Sequence, residues 1–317
     1  MKNILLGNTG LEVSRIGMGV LAIGPNQRNL PLKEGADVIS HAFDKGINLI
    51  DTAQYYRAYP YIRRALSSGR HKAVVCSKSL AADYEGMSVA IEEARRALDT
   101  DVIDIFLMHE VRAGQFEERA GAWECLCDAK ARGIIRAAGV STHNVDVTMQ
   151  MAGINECDVV FSLINYAGLG IRHGGRQGTA REMEEALRLC RDMGKGTMSM
   201  KAFGGGNLTL NYQKALGYAL SLRQVDSVMI GFSSAKEIDD AVSFFDGKLP
   251  ASYNPDVSEK KMWIEEDSCE GCGLCRAACQ SEAIYYSERG LARIDEKKCL
   301  TCGYCAPVCP VRAIIMI

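Results

Sequence analysis

Little net charge, few tryptophans and prolines, and no long apolar run characterise this 317-residue sequence, and each scarcity excludes a class of protein. Thirty-seven Lys and Arg against 39 Asp and Glu leave a formal charge of −2, so no global field draws in nucleic acid or anionic lipid. No segment approaches the roughly 18 uninterrupted apolar residues of a membrane span. The opening MKNILLGNTGLEVSR also lacks the apolar stretch and cleavage site of a secretion signal. A cytoplasmic protein is expected, with neither nucleic acid nor membrane as partner. Seven prolines exclude a collagen-like chain, and 47% hydrophobic residues exclude disorder and supply at least one large core.

What the sequence does have in quantity is cysteine. Thirteen cysteines without a secretion signal read as thiolate ligands or buried thiols, because the cytosol keeps thiols reduced. Eight of them lie between Cys269 and Cys309, whereas Cys76, Cys125, Cys127, Cys157 and Cys190 are scattered. Two different bodies are therefore expected in one chain.

From residue 14 to about 246 a short β-type run, a turn and a helical run recur. The strand candidates are SRIGMGV, INLID, AVVCSK, VIDIFLMH, IIRAAGV, DVVFSL, GTMSMK and DSVMIG, continuous apolar runs suited to strands covered on both faces. Segments such as MSVAIEEARRALD, REMEEALRLCRDMG and AKEIDDAVSFF repeat apolar residues three and four apart, as helices do. Eight such units predict a (β/α)8 TIM barrel. The competing doubly wound sheet would need a G-x-G-x-x-G turn after its first strand, which GMGVLAIG does not supply.

Polar groups at the carboxyl ends of barrel strands converge on one mouth. Strand two ends in Asp51, with Tyr56 five residues on; strand three ends in Lys78 and strand four in His109. A tyrosine with its anion stabilised by a lysine, itself held by an aspartate, would donate a proton at neutral pH. Each residue also has a plain structural reading: Asp51 as a turn cap, Lys78 as an ion-pair partner, His109 as a packed side chain.

The segments VSRIGMG, INLIDTAQYY, VVCSK, LDTDVIDIFLMHE and GIIRAAGVSTHN, in this order and spacing, resemble the aldo/keto reductase family over residues 10 to about 246. The resemblance implies a barrel that binds NADPH or NADH and reduces a small-molecule carbonyl. It also implies a tetrad of Asp51, Tyr56, Lys78 and His109, with Tyr56 as general acid, Lys78 lowering its pKa, Asp51 holding Lys78 and His109 orienting the carbonyl. Tyr55, out of register, is expected only to pack. Coenzyme contacts implied by the same resemblance are Ser141, Asn165 and Met200 with Lys201; Gly204, Gly205 and Gly206 read either as a flexible loop or as backbone donors to the pyrophosphate, and Ser233 with Ser234 either as plain caps of the last helix or as donors to a phosphate. Thr142 stands where the family usually has Asn, Met200 where it commonly has an aromatic, and Arg57 where it has Gly after the tyrosine. Only Lys236 remains of the basic pair that NADPH-selective members carry, so NADP or NAD stays open.

GKLPASYNPDVSEKK reads as a linker over residues 247–261, which places the barrel at residues 1–246. Beyond it, Cys269-x2-Cys272-x2-Cys275-x3-Cys279 and Cys299-x2-Cys302-x2-Cys305-x3-Cys309-Pro310 are two copies of the bacterial ferredoxin run, in which the fourth cysteine of each run ligates the other run's [4Fe–4S] cluster. Cluster one is expected on Cys269, Cys272, Cys275 and Cys309, and cluster two on Cys299, Cys302, Cys305 and Cys279. A zinc ribbon is the competing assignment. Residues 262–317 are thus expected to form a small α+β ferredoxin-like iron–sulfur domain, with short strands after Ala283 and Ala313, too small to bury a core without its clusters.

Together these readings give an oxidoreductase that reduces a carbonyl with NAD(P)H and exchanges electrons with a ferredoxin or flavoprotein through two [4Fe–4S] clusters. An electron-transfer subunit or redox-responsive scaffold with a silent barrel is the alternative, and purely structural clusters are a third. A nicotinamide exchanges a hydride and a cluster single electrons, so direct traffic would need a flavin or radical intermediate that no motif identifies.

Overall fold

The computed structural model describes residues 1–257, 260–311 and 313–317. Eight parallel strands close into a barrel: β1 Ile16–Gly19, β2 Leu49–Asp51, β3 Val74–Ser79, β4 Ile103–Met108, β5 Ile135–Thr142, β6 Val159–Leu163, β7 Gly196–Met200 and β8 Ser227–Gly231. Each is followed by its helix: α1 Leu32–Asp44, α2 Tyr59–Leu66, α3 Tyr84–Leu98, α4 Ala120–Ala131, α5 Val145–Ala152, α6 Ala180–Asp192, α7 Tyr212–Ser221 and α8 Ala235–Phe245. All eight strand candidates of the sequence lie in the wall, and among the described residues no helix is long and apolar enough to cross a membrane.

Alternation along the strands separates two cores. Leu49, Cys76, Ile105, Leu107, Val159, Phe161 and Met198 fill the interior, where Leu6, Leu11 and Val13 from an amino-terminal hairpin join them. Ile50, Val75, Phe106, Met108 and Val160 face the helices. The same parity sends the strand-end residues Asp51 and Lys78 inward, because they lie two residues beyond Leu49 and Cys76. Gly139 of β5 is where the wall leaves no room: a Cβ there would stand 1.8 Å from the Val159 carbonyl oxygen. Gly139→Ala is expected to destabilise the barrel by about 1–3 kcal/mol, read as a lowered Tm with the secondary structure retained.

The carboxyl-terminal unit holds two antiparallel pairs, β9 Met262–Ile264 with β12 Ile314–Met316 and β10 Ile284–Tyr286 with β11 Ala292–Ile294. Its apolar interior consists of Met262, Ile264, Ile284, Ala306 and Ile314 together with Cys275, Cys305 and Cys309. β9 was not foreseen in the sequence. The expected linker runs along the barrel: the Tyr253 ring lies 5.2 Å from that of Tyr212 on α7, and its hydroxyl donates to Asp240 of α8 at 2.5 Å.

Candidate active site

The tail returns to the carboxyl ends of the barrel strands. The Met316 N–H donates to the Gly205 carbonyl at 2.8 Å, and the Asn207 amide donates to the Ile314 carbonyl at 3.2 Å. Arg172 donates to the Pro310 carbonyl, and the Tyr55 hydroxyl donates to Asp267. Tyr55, expected to pack, is thus an exposed bridge to the cluster unit. Barrel mouth and tail together enclose a cavity of about 1410 Å³.

Asp51, Tyr56, Lys78 and His109 all line it. The Lys78 ammonium donates to Asp51 and, at 2.7 Å, to the Thr52 carbonyl, and it stands 5.2 Å from the centroid of the Tyr56 ring. The Tyr56 hydroxyl lies 3.4 Å from His109 Nε2. Burial raises the Asp51 carboxyl above its ordinary value, a push that the Lys78 ammonium opposes. Burial drives His109 well below its ordinary value, and the charges of Lys78, Arg119 and Lys201 add to the shift, so the imidazole is neutral at pH 7. Its Nδ1 has no partner among the described residues, an orphan polar atom beside the open cavity.

At Tyr56 burial dominates: its hydroxyl is pushed well above the ordinary tyrosine value, first by burial and then by Asp51, Glu265 and Glu110. The phenol is therefore held fully protonated. Arg57 adopts a left-handed φ of 54° where glycine would be unstrained, and its side chain is exposed.

The expected coenzyme contacts divide. Ser141, Thr142, Met200, Lys201, Gly205, Ser233 and Ser234 line the cavity. The Ser141 hydroxyl accepts from the Glu110 N–H at 2.9 Å and can still donate. Thr142 already donates to the Val111 carbonyl at 2.6 Å and accepts from the Asn144 N–H at 2.9 Å. The Asn165 amide is turned to its own loop, donating to the Leu169 carbonyl and accepting from the Leu169 N–H, each at 3.0 Å, so it does not offer itself to a carboxamide as expected. Gly204 packs against Leu169 and Leu208, while Gly205 and Gly206 meet Ile315 and Met316 of the tail. Ser233 gives its N–H and hydroxyl to Glu237, and Ser234 caps α8. Burial pushes Glu237 up, yet Lys260 and the Ser233 donors outweigh it and hold the carboxylate low, so an anion of the protein itself sits at this helix start.

Cysteines of the two runs approach one another. Cys279 lines one small cavity with Cys299, Cys302 and Cys305, and Cys275 lies within electrostatic reach of Cys309, Cys269 and Cys272. Backbone N–H groups of Gly271, Ala283, Thr301 and Ala313 donate to the sulfurs of Cys269, Cys279, Cys299 and Cys309 at 3.3–3.5 Å, the support that anionic clusters need. The donor set fits two iron–sulfur clusters.

Other residues of the site were not singled out in the sequence. His143, Glu110, Arg112 and Arg172 of the barrel and Trp263 and Glu265 of the tail line the same cavity. Glu110 and His143 lie at the ends of segments already recognised; the tail residues carry no local signal, because only the docking of the tail brings them there.

Comparison with known proteins agrees with this architecture. The aldo/keto reductase family matches residues 15–216, and the 4Fe-4S dicluster domain matches residues 262–317. The chain is 30% identical to the aldo-keto reductase YhdN of Bacillus subtilis over 163 residues, 46% of this chain and 48% of that one. It is 23% identical to L-galactose dehydrogenase of Arabidopsis thaliana over 75% of this chain and 86% of that one. Among solved structures, the aldo-keto reductase AKR11C1 of Bacillus halodurans shares the fold with a TM-score of 0.65 at 18% identity, covering 82% of this chain and 93% of that one.

Proposed function

Since the chain belongs to the aldo/keto reductase family and carries a 4Fe-4S dicluster domain, we propose that it is an iron–sulfur carbonyl reductase whose barrel spans residues 1–246, joined through residues 247–261 to a two-cluster unit at residues 262–317. The observation that carries this reading is the convergence of Asp51, Tyr56, Lys78 and His109 on one cavity.

A reduced nicotinamide, when bound, supplies a hydride to the carbonyl carbon. Ser141, Met200 and Lys201 would hold it near the tetrad. Tyr56 gives its hydroxyl proton to the carbonyl oxygen, and solvent returns one afterwards. Neutral His109, with its ring edge toward Tyr56, orients that oxygen without competing as a cation. Asp51 fixes Lys78 beneath the Tyr56 ring, and the lysine charge stabilises the tyrosinate as it forms. Cys269, Cys272, Cys275 and Cys309 would hold one [4Fe–4S] cluster and Cys279, Cys299, Cys302 and Cys305 the other. Held there, the clusters would supply single-electron transfer, and a ferredoxin or flavoprotein of the cytoplasm is the partner this reading proposes. The test is carbonyl-dependent oxidation of NADH or NADPH by the anaerobically purified holoprotein. Absence of turnover with a panel of glyceraldehyde, methylglyoxal and propanal would favour the silent-barrel alternative.

Coenzyme choice follows from the α8 helix start. If the adenosine 2′-phosphate approaches Ser233 and Ser234, as the family resemblance implies, it meets the Glu237 carboxylate. NADH is expected to bind about tenfold more tightly than NADPH, about 1.4 kcal/mol of charge repulsion. Glu237→Gln should narrow that difference in a fluorescence titration; equal affinities in the unaltered protein would contradict it.

A further inference from the structure

The two groups of four cysteines stand differently toward the barrel. Ser268 and Glu270 flank Cys269, Pro310 follows Cys309, and all three line the cavity at the barrel mouth, whereas among the described residues none between 271 and 309 does. The group of Cys269, Cys272, Cys275 and Cys309 is therefore the inner one. The group of Cys279, Cys299, Cys302 and Cys305 has its edge in solvent: Cys302 is exposed, Leu300 lines the small cavity of these cysteines while itself 76% exposed, and Tyr304, between Cys302 and Cys305, is 58% exposed. Cys272 and Leu274 are exposed at the inner group as well, so apolar exposure alone does not distinguish the two.

Charge does. Cys269 lies among Glu266, Asp267 and Glu270, whereas Cys299 follows directly on Lys297 and Lys298, and the run from 297 to 309 contains no acidic residue. The Lys297 N–H donates to Asp295 Oδ1 at 3.0 Å, and the Lys298 and Cys299 N–H groups donate to the Asp295 carbonyl at 3.1 and 3.0 Å. This turn keeps the Cα atoms of Lys298 and Lys297 within about 4 and 8 Å of that of Cys299. Both lysine side chains are exposed, and among the described residues neither has a hydrogen-bond or ion-pair partner, while the adjacent Glu296 is tied to Lys261 at 2.5 Å. Glu282 and Arg276, each three residues from Cys279, offset one another. Two unpaired cations thus border the exposed leucine and tyrosine.

We propose that Lys297, Lys298, Leu300 and Tyr304 form the docking surface for an acidic one-electron carrier protein, which exchanges electrons with the outer cluster. The inference rests on the reading of the tail as a two-cluster electron-transfer unit. One electron crosses the contact: the reduced partner gives it up and the oxidised partner takes it, together with a proton from solvent where the acceptor is a flavin. With a formal charge of −2, the protein as a whole offers an acidic carrier no general attraction, so a local patch determines where it lands. A thiolate-ligated cluster is itself anionic and repels such a carrier unless cations stand beside it. A small apolar centre rimmed by cations suits the brief, charge-steered encounters of redox proteins, which bury little area. The occupant is a protein rather than a lipid surface because the exposed Cys302 lies between Leu300 and Tyr304 in the chain, and only a redox partner gains from approaching a cluster ligand.

The test mixes dithionite-reduced holoprotein, freed of excess reductant, with oxidised flavodoxin, an acidic carrier, in a stopped-flow instrument. Formation of one-electron-reduced flavin is expected to slow about tenfold or more in Lys297→Glu/Lys298→Glu at about 50 mM salt, and the difference should shrink at about 500 mM, where the charges are screened. Leu300→Ser should slow it at both salt concentrations. Lys72→Glu, exposed in the loop entering β3 at the opposite end of the barrel, should leave it unchanged, and carbonyl-dependent NADH oxidation should be the same in all three variants. Iron content and absorbance will show that each variant keeps its clusters. Salt-sensitive binding of oxidised flavodoxin to the immobilised holoprotein, lost in Lys297→Glu/Lys298→Glu, supports the assignment even where the potentials leave the exchange slow. Exchange and binding in that double variant equal to those of the unaltered protein, no binding by the unaltered protein at low salt, or lysine-dependent binding to phosphatidylglycerol vesicles in place of flavodoxin, overturns it. Clusters that dithionite fails to reduce overturn the electron-transfer reading instead, and the binding titration still decides the surface.

Discussion

Tyr56→Phe is expected to lower carbonyl reduction by about 10²-fold or more while coenzyme binding and cluster content stay as they are, the scale on which a single proton donor acts. The substitution removes the O–H and keeps the ring that Lys78 and His109 pack against. A steady-state assay paired with a coenzyme titration checks it. Lys78→Met should fall at least as far, because it deletes the cation that stands over the ring and leaves Asp51 buried without its partner. Loss of coenzyme binding in step with turnover would assign Tyr56 to folding, and unchanged turnover would remove the tetrad from the chemistry.

Cys309→Ser is expected to cost the protein one whole cluster. Iron should fall from about eight to about four per chain, even though the other three ligands of that cluster, Cys269, Cys272 and Cys275, belong to the distant first run. Cys127→Ser, on α4 and outside either run, should keep about eight. Iron and sulfide analysis with electron paramagnetic resonance of the reduced protein decides it. A variant that keeps both signals would mean that ligation does not cross between the runs; stoichiometric zinc in place of iron would overturn the cluster assignment itself. Losing this cluster should also loosen the cavity wall, since Ser268, Glu270, Pro310 and Val311, which flank Cys269 and Cys309, face the barrel mouth.

The barrel was legible because both of its faces are covered: strands such as VVCSK and IDIFLM read as apolar runs, and the helices between them keep their 3.6-residue period. Asp51, Lys78 and His109 stood out for the same reason, as polar groups ending apolar strands. The eight cysteines were legible because cluster ligation is local in sequence for three of each four ligands. What could not be read depends on contacts between segments far apart. Asn165 and Thr142 look available in the sequence, but the Leu169 carbonyl occupies the first and the Val111 carbonyl, from the loop after β4, the second. The raised proton affinity of Tyr56 depends partly on Glu265, which lies more than 200 residues away and reaches it only because the β9–β12 pair docks on the loop after β7. Likewise Glu237, an ordinary first-turn acid by sequence, occupies the helix start that the sequence left open between a cap and a phosphate site, and Lys260 of the connecting segment folds back on it.

The most direct test follows the hydride. The holoprotein, loaded with its clusters and kept free of oxygen, is given D-glyceraldehyde and NADH carrying deuterium on the transferred face of C4, and the glycerol formed is analysed by mass spectrometry. One deuterium on the former carbonyl carbon, lost together with turnover in Tyr56→Phe, is the predicted result. Glycerol that forms only when reduced ferredoxin is supplied, and that carries no deuterium, would contradict the account.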